Sequence, residues 1–214
     1  MLINFVLGVA GQYGAIPFGG YVRDYLIGAE PNDLDLLFSR RGLVDTFAKT
    51  IALSPDHSMV FNETKSGYAI GGFCTTYYVV DRHSQLTVKV DCVVNEVCQC
   101  DPTTVRMSVD FDINSLVGTW DHNSLSVKVN DDLQCLQFLE VINNIRLKQF
   151  RVCGLLMNKT SLQHPAVTQN GHVCYSPKSS NGKKLVERAQ KLVAKGWTCV
   201  SKCDHPDCWL VETL

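Results

Sequence analysis

A glycine pair, a short helical stretch and two alternate carboxylates restrict the fold of this chain more than any other run in it. They read Gly19-Gly20-Tyr21-Val22-Arg23-Asp24-Tyr25-Leu26-Ile27-Gly28, then Asp33-Leu34-Asp35-Leu36. Lacking Cβ atoms, the glycines let the backbone after Ile16-Pro17-Phe18 turn tightly and bring its N–H groups toward phosphate oxygens. A helix starting at Tyr21 aims its positive end at the same spot. Arg23, in the first turn and always charged, either clamps phosphate or pairs with a carboxylate to fix the turn; the sequence leaves both roles open. Along an extended stretch over residues 33–38, Asp33 and Asp35 share one face while Leu34 and Leu36 point into the core. Two carboxylates in one small volume repel each other. That raises a pKa or destabilises the strand unless a cation lies between them, and Mg²⁺ with oxygen ligands meets the need.

At every fixed position the run matches G-G-x-V-R-D-x-L-x-G-x-x-x-x-D-x-D. It thereby resembles the head domain of CCA-adding enzymes and bacterial poly(A) polymerases, within the polymerase-β-like nucleotidyltransferases. The resemblance spans about residues 16–116 and implies an α+β fold, a small mixed sheet backed by helices. It also implies Mg²⁺ or Mn²⁺ as cofactor, an NTP as substrate and an RNA 3′ end, tRNA-like, as acceptor. In that arrangement Gly19, Gly20 and Arg23 cradle the β and γ phosphates, Asp33 and Asp35 bind two Mg²⁺ ions, and a third carboxylate, which holds the catalytic ion, follows on a later strand. Asp91, in Leu86-Thr87-Val88-Lys89-Val90-Asp91-Cys92-Val93-Val94, is the preferred candidate, because a lone Asp amid apolar β-branched residues is costly unless paired or metal-bound. The plain alternative is the polar face of an edge strand shared with Lys89. Asp81, in Tyr78-x-x-Asp81-Arg82-His83, is a competing placement that resembles the family's Y-x-D-x-R-H-P without its proline.

A second family segment, R-R-D-F-T-x-N-A-L, corresponds to Asp110-Phe111-Asp112-Ile113-Asn114-Ser115-Leu116. Asp110, Phe111, Asn114 and Leu116 match; Asp112 stands for the threonine and Ser115 for the alanine, and Ser108 and Val109 replace both arginines. The resemblance implies that Asp110 and Asn114 contact the nucleotide, with Arg106 as a substitute cation. The structural alternative is a helix start capped by Asp110 or Asp112. The family's base-selecting E-D-x-x-R element has no counterpart here.

With 214 residues, 45% of them hydrophobic and 19% charged, the chain buries a substantial core. The expected division is a head over residues 1–120 and a neck-like helix with a short, mostly helical C-terminal appendage over 121–214. A net charge of −1 supplies no global attraction to nucleic acid, so RNA binding needs a local patch. The apolar start lacks the basic flank of a signal peptide, and no run reaches membrane-spanning length, so no membrane partner is expected. Ten cysteines suit five disulfides in a secreted protein, but triphosphate chemistry belongs to the reducing cytoplasm, so most are expected as thiols. Cys74, Cys92, Cys135 and Cys153 lie in apolar stretches as small core residues. Cys199, Cys203, His205 and Cys208 are four soft ligands suited to Zn²⁺, with free thiols on an irregular strand as the alternative.

Periodicity predicts a helix over 43–53, strands over 57–62, 68–80 and 86–94, a hairpin over 120–129 and helices over 131–151 and 182–195. Gly71-Gly72 marks a bend. The last helix carries a basic stripe, Lys184, Arg188, Lys191 and Lys195, opposite Leu185, Ala189 and Leu192; it is either an RNA-binding surface or the solvated face of an amphipathic helix. Two rivals to RNA-directed nucleotidyl transfer stay open: modification of a protein or small molecule, and a non-catalytic nucleotide- or RNA-binding module.

Overall fold

A computed structural model describes residues 2–66, 72–94, 109–130, 136–155, 166–167, 173–174 and 180–201. In chain order the first elements are α1 (Leu2–Gln12), β1 (Ile16–Pro17), α2 (Gly20–Leu26), β2 (Leu34–Phe38), α3 (Arg41–Ala52), β3 (His57–Ser66), β4 (Phe73–Asp81) and β5 (Thr87–Val94). Then come β6 (Val109–Phe111), a 3₁₀ turn (Asp112–Asn114), β7 (Leu116–Asp121), β8 (Ser124–Val129), α4 (Phe138–Arg146), β9 (Gln149–Phe150) and β10 (Val152–Leu155). The last are β11 (Ala166–Val167), β12 (Val173–Cys174), α5 (Ser180–Ala194) and β13 (Thr198–Cys199). No helix among the described residues is long and apolar enough to cross a membrane. The chain divides into two compact units, Met1–Arg106 with Ser115–Cys135, and Met107–Asn114 with Leu136–Leu214.

The first unit is built on a five-stranded mixed sheet in the order β1-β2-β5-β4-β3. β2 and β5 run parallel and the other pairs antiparallel. Helices α1 and α3 touch each other and the sheet, forming one covering layer. The residues that point into this layer follow the strand period of two: Leu34, Leu36 and Phe38 on β2 face the same way as their partners Val90, Cys92 and Val94 on β5, and all six are buried. Phe38 packs on Phe47 of α3 with ring centroids 5.3 Å apart. Each such apolar side chain contributes about 1.5–3 kcal/mol by leaving water, so register is fixed from this side. The intervening residues, Asp35 opposite Asp91 and Leu37 opposite Val93, therefore emerge on the other face. The hairpin β7–β8 turns through His122 and Asn123, both with positive φ (45° and 61°), the backbone a two-residue type I′ connection requires.

The second unit pairs β6 with β10 and β9 with β13, the latter in parallel, and joins β11 to β12. Its core holds Phe111 against Phe150 edge to face, with Ile113, Val141, Ile145 and, from α5, Leu185, Ala189 and Leu192. The helix expected over 131–151 is shorter. Residues 131–135 lie outside the described set, and α4 ends at Arg146, where Lys148 takes a left-handed φ of 51° and Gln149-Phe150 joins β13. The helical spacing of Leu136, Leu139, Ile142 and Ile145 predicts a stripe that the fold shifts: Leu139 is exposed, and the buried side is Val141, Asn144 and Ile145. Asn144 turns inward because its amide has a buried partner, Asp112.

Candidate active site

The glycine run folds as its composition dictates. Gly19 has a φ of 66° with a ψ of −131°, a backbone conformation that side chains with a Cβ hardly adopt, and it is followed at once by α2. Its N–H donates to the Leu116 carbonyl (3.1 Å) and the Phe18 N–H to the Asp35 carbonyl (3.1 Å), so the turn is pinned between β2 and β7. Gly19 thus supplies conformation, with its donor already committed, and Gly20 opens the helix. At the other end, Gly28 at φ 64° closes α2, and the Ala29 N–H reaches back to the Asp24 carbonyl. Of the two roles open to Arg23, the structure displays carboxylate pairing: its Nε donates to Asp24 Oδ1 at 2.7 Å, with both side chains nearly buried.

Three carboxylates lie toward the face of the sheet opposite α1 and α3. Asp33 precedes β2, Asp35 lies on it, and Asp91 is the direct parallel partner of Asp35 on β5. A Cβ on Gly19 would lie 3.7 Å from Asp35 Oδ2, so the carboxylate sits against the glycine turn. Thr76 of β4, cross-strand partner of Asp91, donates from Oγ1 to Asp91 Oδ1 at 2.6 Å. Lys89 Nζ donates to Asp91 Oδ2 at 2.6 Å and to Asp33 Oδ2 at 3.4 Å. Burial works against the Lys89 charge, but the bond to Asp91 and the charges of Asp91 and Asp33 outweigh it and hold the ammonium above its ordinary range. Asp35 is pushed up to about 7, first by burial and then by the charges of Asp33 and Asp91, with Lys89 and Arg23 opposing. Among the described residues, no three His, Cys, Asp or Glu side chains stand close enough to hold one ion. The donor set nevertheless has the chemistry of a Mg²⁺ or Mn²⁺ site: oxygen ligands only, and mutual repulsion that a cation relieves.

Thr76 was not legible as a site residue, since only the β4–β5 register brings it to Asp91; Lys89 was read beside Asp91 only as part of the polar face of an edge strand, whereas β5 lies inside the sheet between β2 and β4. Asp81, the competing third carboxylate, accepts the His83 and Ser84 N–H groups at 2.9 Å each and closes the turn after β4, which holds it below the usual carboxylate range. Buried Cys74 and Cys92 are free thiols, raised first by burial, Cys74 to about 11, as befits unreactive core positions.

In the second unit, Asp110 pairs with Arg188 of α5, and Asn114 ends the 3₁₀ turn half-buried. Arg188, part of the predicted basic stripe, is thus engaged, while Lys184, Lys191 and Lys195 are exposed. Asp112, two residues after Asp110, is fully enclosed: Oδ1 accepts the N–H groups of Ile113 (2.8 Å) and Arg151 (2.7 Å), and Oδ2 accepts from Asn144 Nδ2 (2.6 Å). Burial pushes its carboxyl up and these donors pull back, leaving it above the ordinary value. Cys199 lies on β13 with its thiol raised by burial. Cys203, His205 and Cys208, the rest of the expected zinc set, lie outside the described residues, as do Arg106, Ser108 and Gly71.

The Asp35 shift makes a prediction. Below its unfolded value of 3.8 the group is protonated in both states; between 3.8 and about 7 the folded chain holds a proton that the unfolded chain has lost. Stability in chelator should therefore fall as pH rises through that window and level off above it, by an amount on the order of a few kcal/mol at about 1.4 kcal/mol per unit. Urea unfolding at a series of pH values checks this, and Asp35→Asn should flatten the profile.

Residues 152–213 match a family of unknown function (DUF5769). No curated protein matches the chain. Among solved structures it is similar to the Thermotoga maritima CCA-adding enzyme complexed with tRNA, at 12% identity and a TM-score of 0.50, over 94% of this chain and 39% of that one. It is also similar to a CCA-adding enzyme in complex with ATP (14%, TM-score 0.47, 93% and 39%) and to one in complex with CTP (13%, 0.45, 91% and 44%). The chain spans about two-fifths of the length of these enzymes. The fold is nucleotidyltransferase-like, a mixed α+β architecture with a mixed sheet backed by helices.

Proposed function

We propose that the chain is a metal-dependent nucleotidyltransferase that moves a nucleoside monophosphate from an NTP to an acceptor hydroxyl, that of an RNA 3′ end. The observation that carries this is the parallel pairing of Asp35 with Asp91 beside the Gly19 turn, with Asp33 tied to the same face through Lys89. Asp33, Asp35 and Asp91 would hold Mg²⁺ or Mn²⁺, which supplies Lewis-acid stabilisation of charge on the phosphoryl oxygens. Gly20 and the start of α2 bind and orient the triphosphate, Gly19 shapes the turn with its own N–H committed to Leu116, and Arg23, locked to Asp24, keeps that turn rigid. Asp91 accepts the proton of the acceptor hydroxyl, whose oxygen forms a bond to the α-phosphorus as the bond from the α-phosphorus to the bridging oxygen breaks and pyrophosphate leaves. The RNA acceptor rests on the match of the front motif and on the likeness in fold to a CCA-adding enzyme complexed with tRNA.

A binding module is the second reading, favoured by the ion pairs that occupy Asp33, Asp91 and Asp110. Pyrophosphate release from each of the four NTPs with Mg²⁺ or Mn²⁺, with and without total tRNA, separates them. RNA-dependent release that disappears in Asp33→Ala/Asp35→Ala is the expected result. NTP binding by calorimetry with no release under any condition supports the module, and labelling of protein in a lysate supports a different acceptor.

A further inference from the structure

The carboxylate face carries a cation of the chain's own. Lys89 and Asp91 alternate along β5, so pleating puts both side chains on the face that also bears Asp35. The ammonium is divided between two carboxylates from different strands, 2.6 Å from Asp91 Oδ2 and 3.4 Å from Asp33 Oδ2. The Asp91 side chain is only 16% exposed and its second oxygen is taken by Thr76, which distinguishes this arrangement from a solvated surface pair. We infer that Lys89 is the resident counter-ion of the site and stands where one of two divalent cations would bind, so that the site takes a single Mg²⁺ or Mn²⁺. This rests on reading Asp33, Asp35 and Asp91 as metal ligands.

Charge and geometry agree. Three carboxylates and one ammonium leave two negative charges, which one divalent ion neutralises; a second ion would sit beside a fixed ammonium. The oxygens that Lys89 spans are held at N–O distances of 2.6 and 3.4 Å, whereas Mg²⁺ draws its oxygens to about 2.0–2.1 Å. Lys89 therefore keeps both oxygens farther from the centre of the charge they share than Mg²⁺ would.

The test is Mn²⁺ binding to the full chain, read from the free-ion electron paramagnetic resonance signal, with thermal melts in chelator and in Mn²⁺. Lys89→Met is expected to bind Mn²⁺ about tenfold more tightly and to take up a second ion. It should melt below the native chain in chelator and recover in Mn²⁺. Lys89→Gln keeps a donor for Asp91 without the charge and should tighten binding in the same direction, so the inference survives a poorly folded Met variant; Lys89→Arg should stay native-like. If Mn²⁺ binds the native chain, is lost in Asp35→Asn and is no tighter in Lys89→Met or Lys89→Gln, the inference fails while the metal-ligand reading stands. Absence of Mn²⁺ binding by native and variants alike overturns both.

Discussion

Asp35→Asn should cut NTP-dependent pyrophosphate release about a thousandfold and leave the protein folded. Asn matches Asp in shape but offers one neutral acceptor oxygen, so a cation held there loses a charged ligand. Metal stabilisation of a transferring phosphoryl group is worth several kcal/mol, and each 1.4 kcal/mol or so is tenfold in rate, which gives the expected size. Folding should respond in the opposite direction. Asp35 is enclosed and lies next to Asp33 and Asp91, and burial together with their charges pushes its pKa up to about 7. Removing its charge removes that penalty, so the variant in chelator should equal or exceed the native chain in stability above pH 7. Single-turnover pyrophosphate release alongside a thermal melt distinguishes chemistry from misfolding. Native-like turnover in a folded Asp35→Asn chain would remove this carboxylate from the reaction and with it the nucleotidyltransferase assignment.

What the sequence made legible about this site follows from how local each signal is. Gly19, α2 and β2 lie within one short run whose glycines, helix start and alternating Asp and Leu act on near neighbours, and the structure places them as that pattern implies. The strand period also put Lys89 on the face of Asp91. The parallel register that sets Asp91 against Asp35 was not legible, because it is fixed by burial of Leu34, Leu36 and Phe38 with Val90, Cys92 and Val94 under α1 and α3. Thr76 depends on a further register, between β4 and β5, and had no sequence signal of its own. Helix α1 was hidden for a different reason: residues so uniformly apolar show little face-to-face contrast, and Leu2, Val6, Leu7, Val9 and Ala10 are all buried. The predicted helix over 131–151 ran too far because its apolar spacing continues into Phe150 and Val152, which the fold uses in strands once Lys148 leaves the helical region.

Asp112→Ala is expected to be the most destabilising single change in the second unit, by about 3–5 kcal/mol, even though a motif match directs attention to its neighbours. Three donors converge on its carboxylate: the backbone N–H groups of Ile113 and Arg151 and the side chain of Asn144. The Asp112 N–H in turn donates to the Arg151 carbonyl, so one residue ties the 3₁₀ turn to α4 and to the start of β10. Alanine strands all three donors in a site that is 2% exposed, and each unmet buried donor costs about 1–3 kcal/mol. In a chain of this size the loss corresponds to a fall of roughly 10 °C in melting temperature. Asp110 provides the contrast. Its pair with Arg188 is largely exposed on the arginine side, and such pairs contribute about 0–1 kcal/mol, so Asp110→Ala should melt near the native temperature. A cycle with Asn144→Ala should return a coupling of about 1–3 kcal/mol between Asp112 and Asn144. Near-additivity in that cycle would show that the bond from Asn144 to Asp112 does not hold α4 to the 3₁₀ turn.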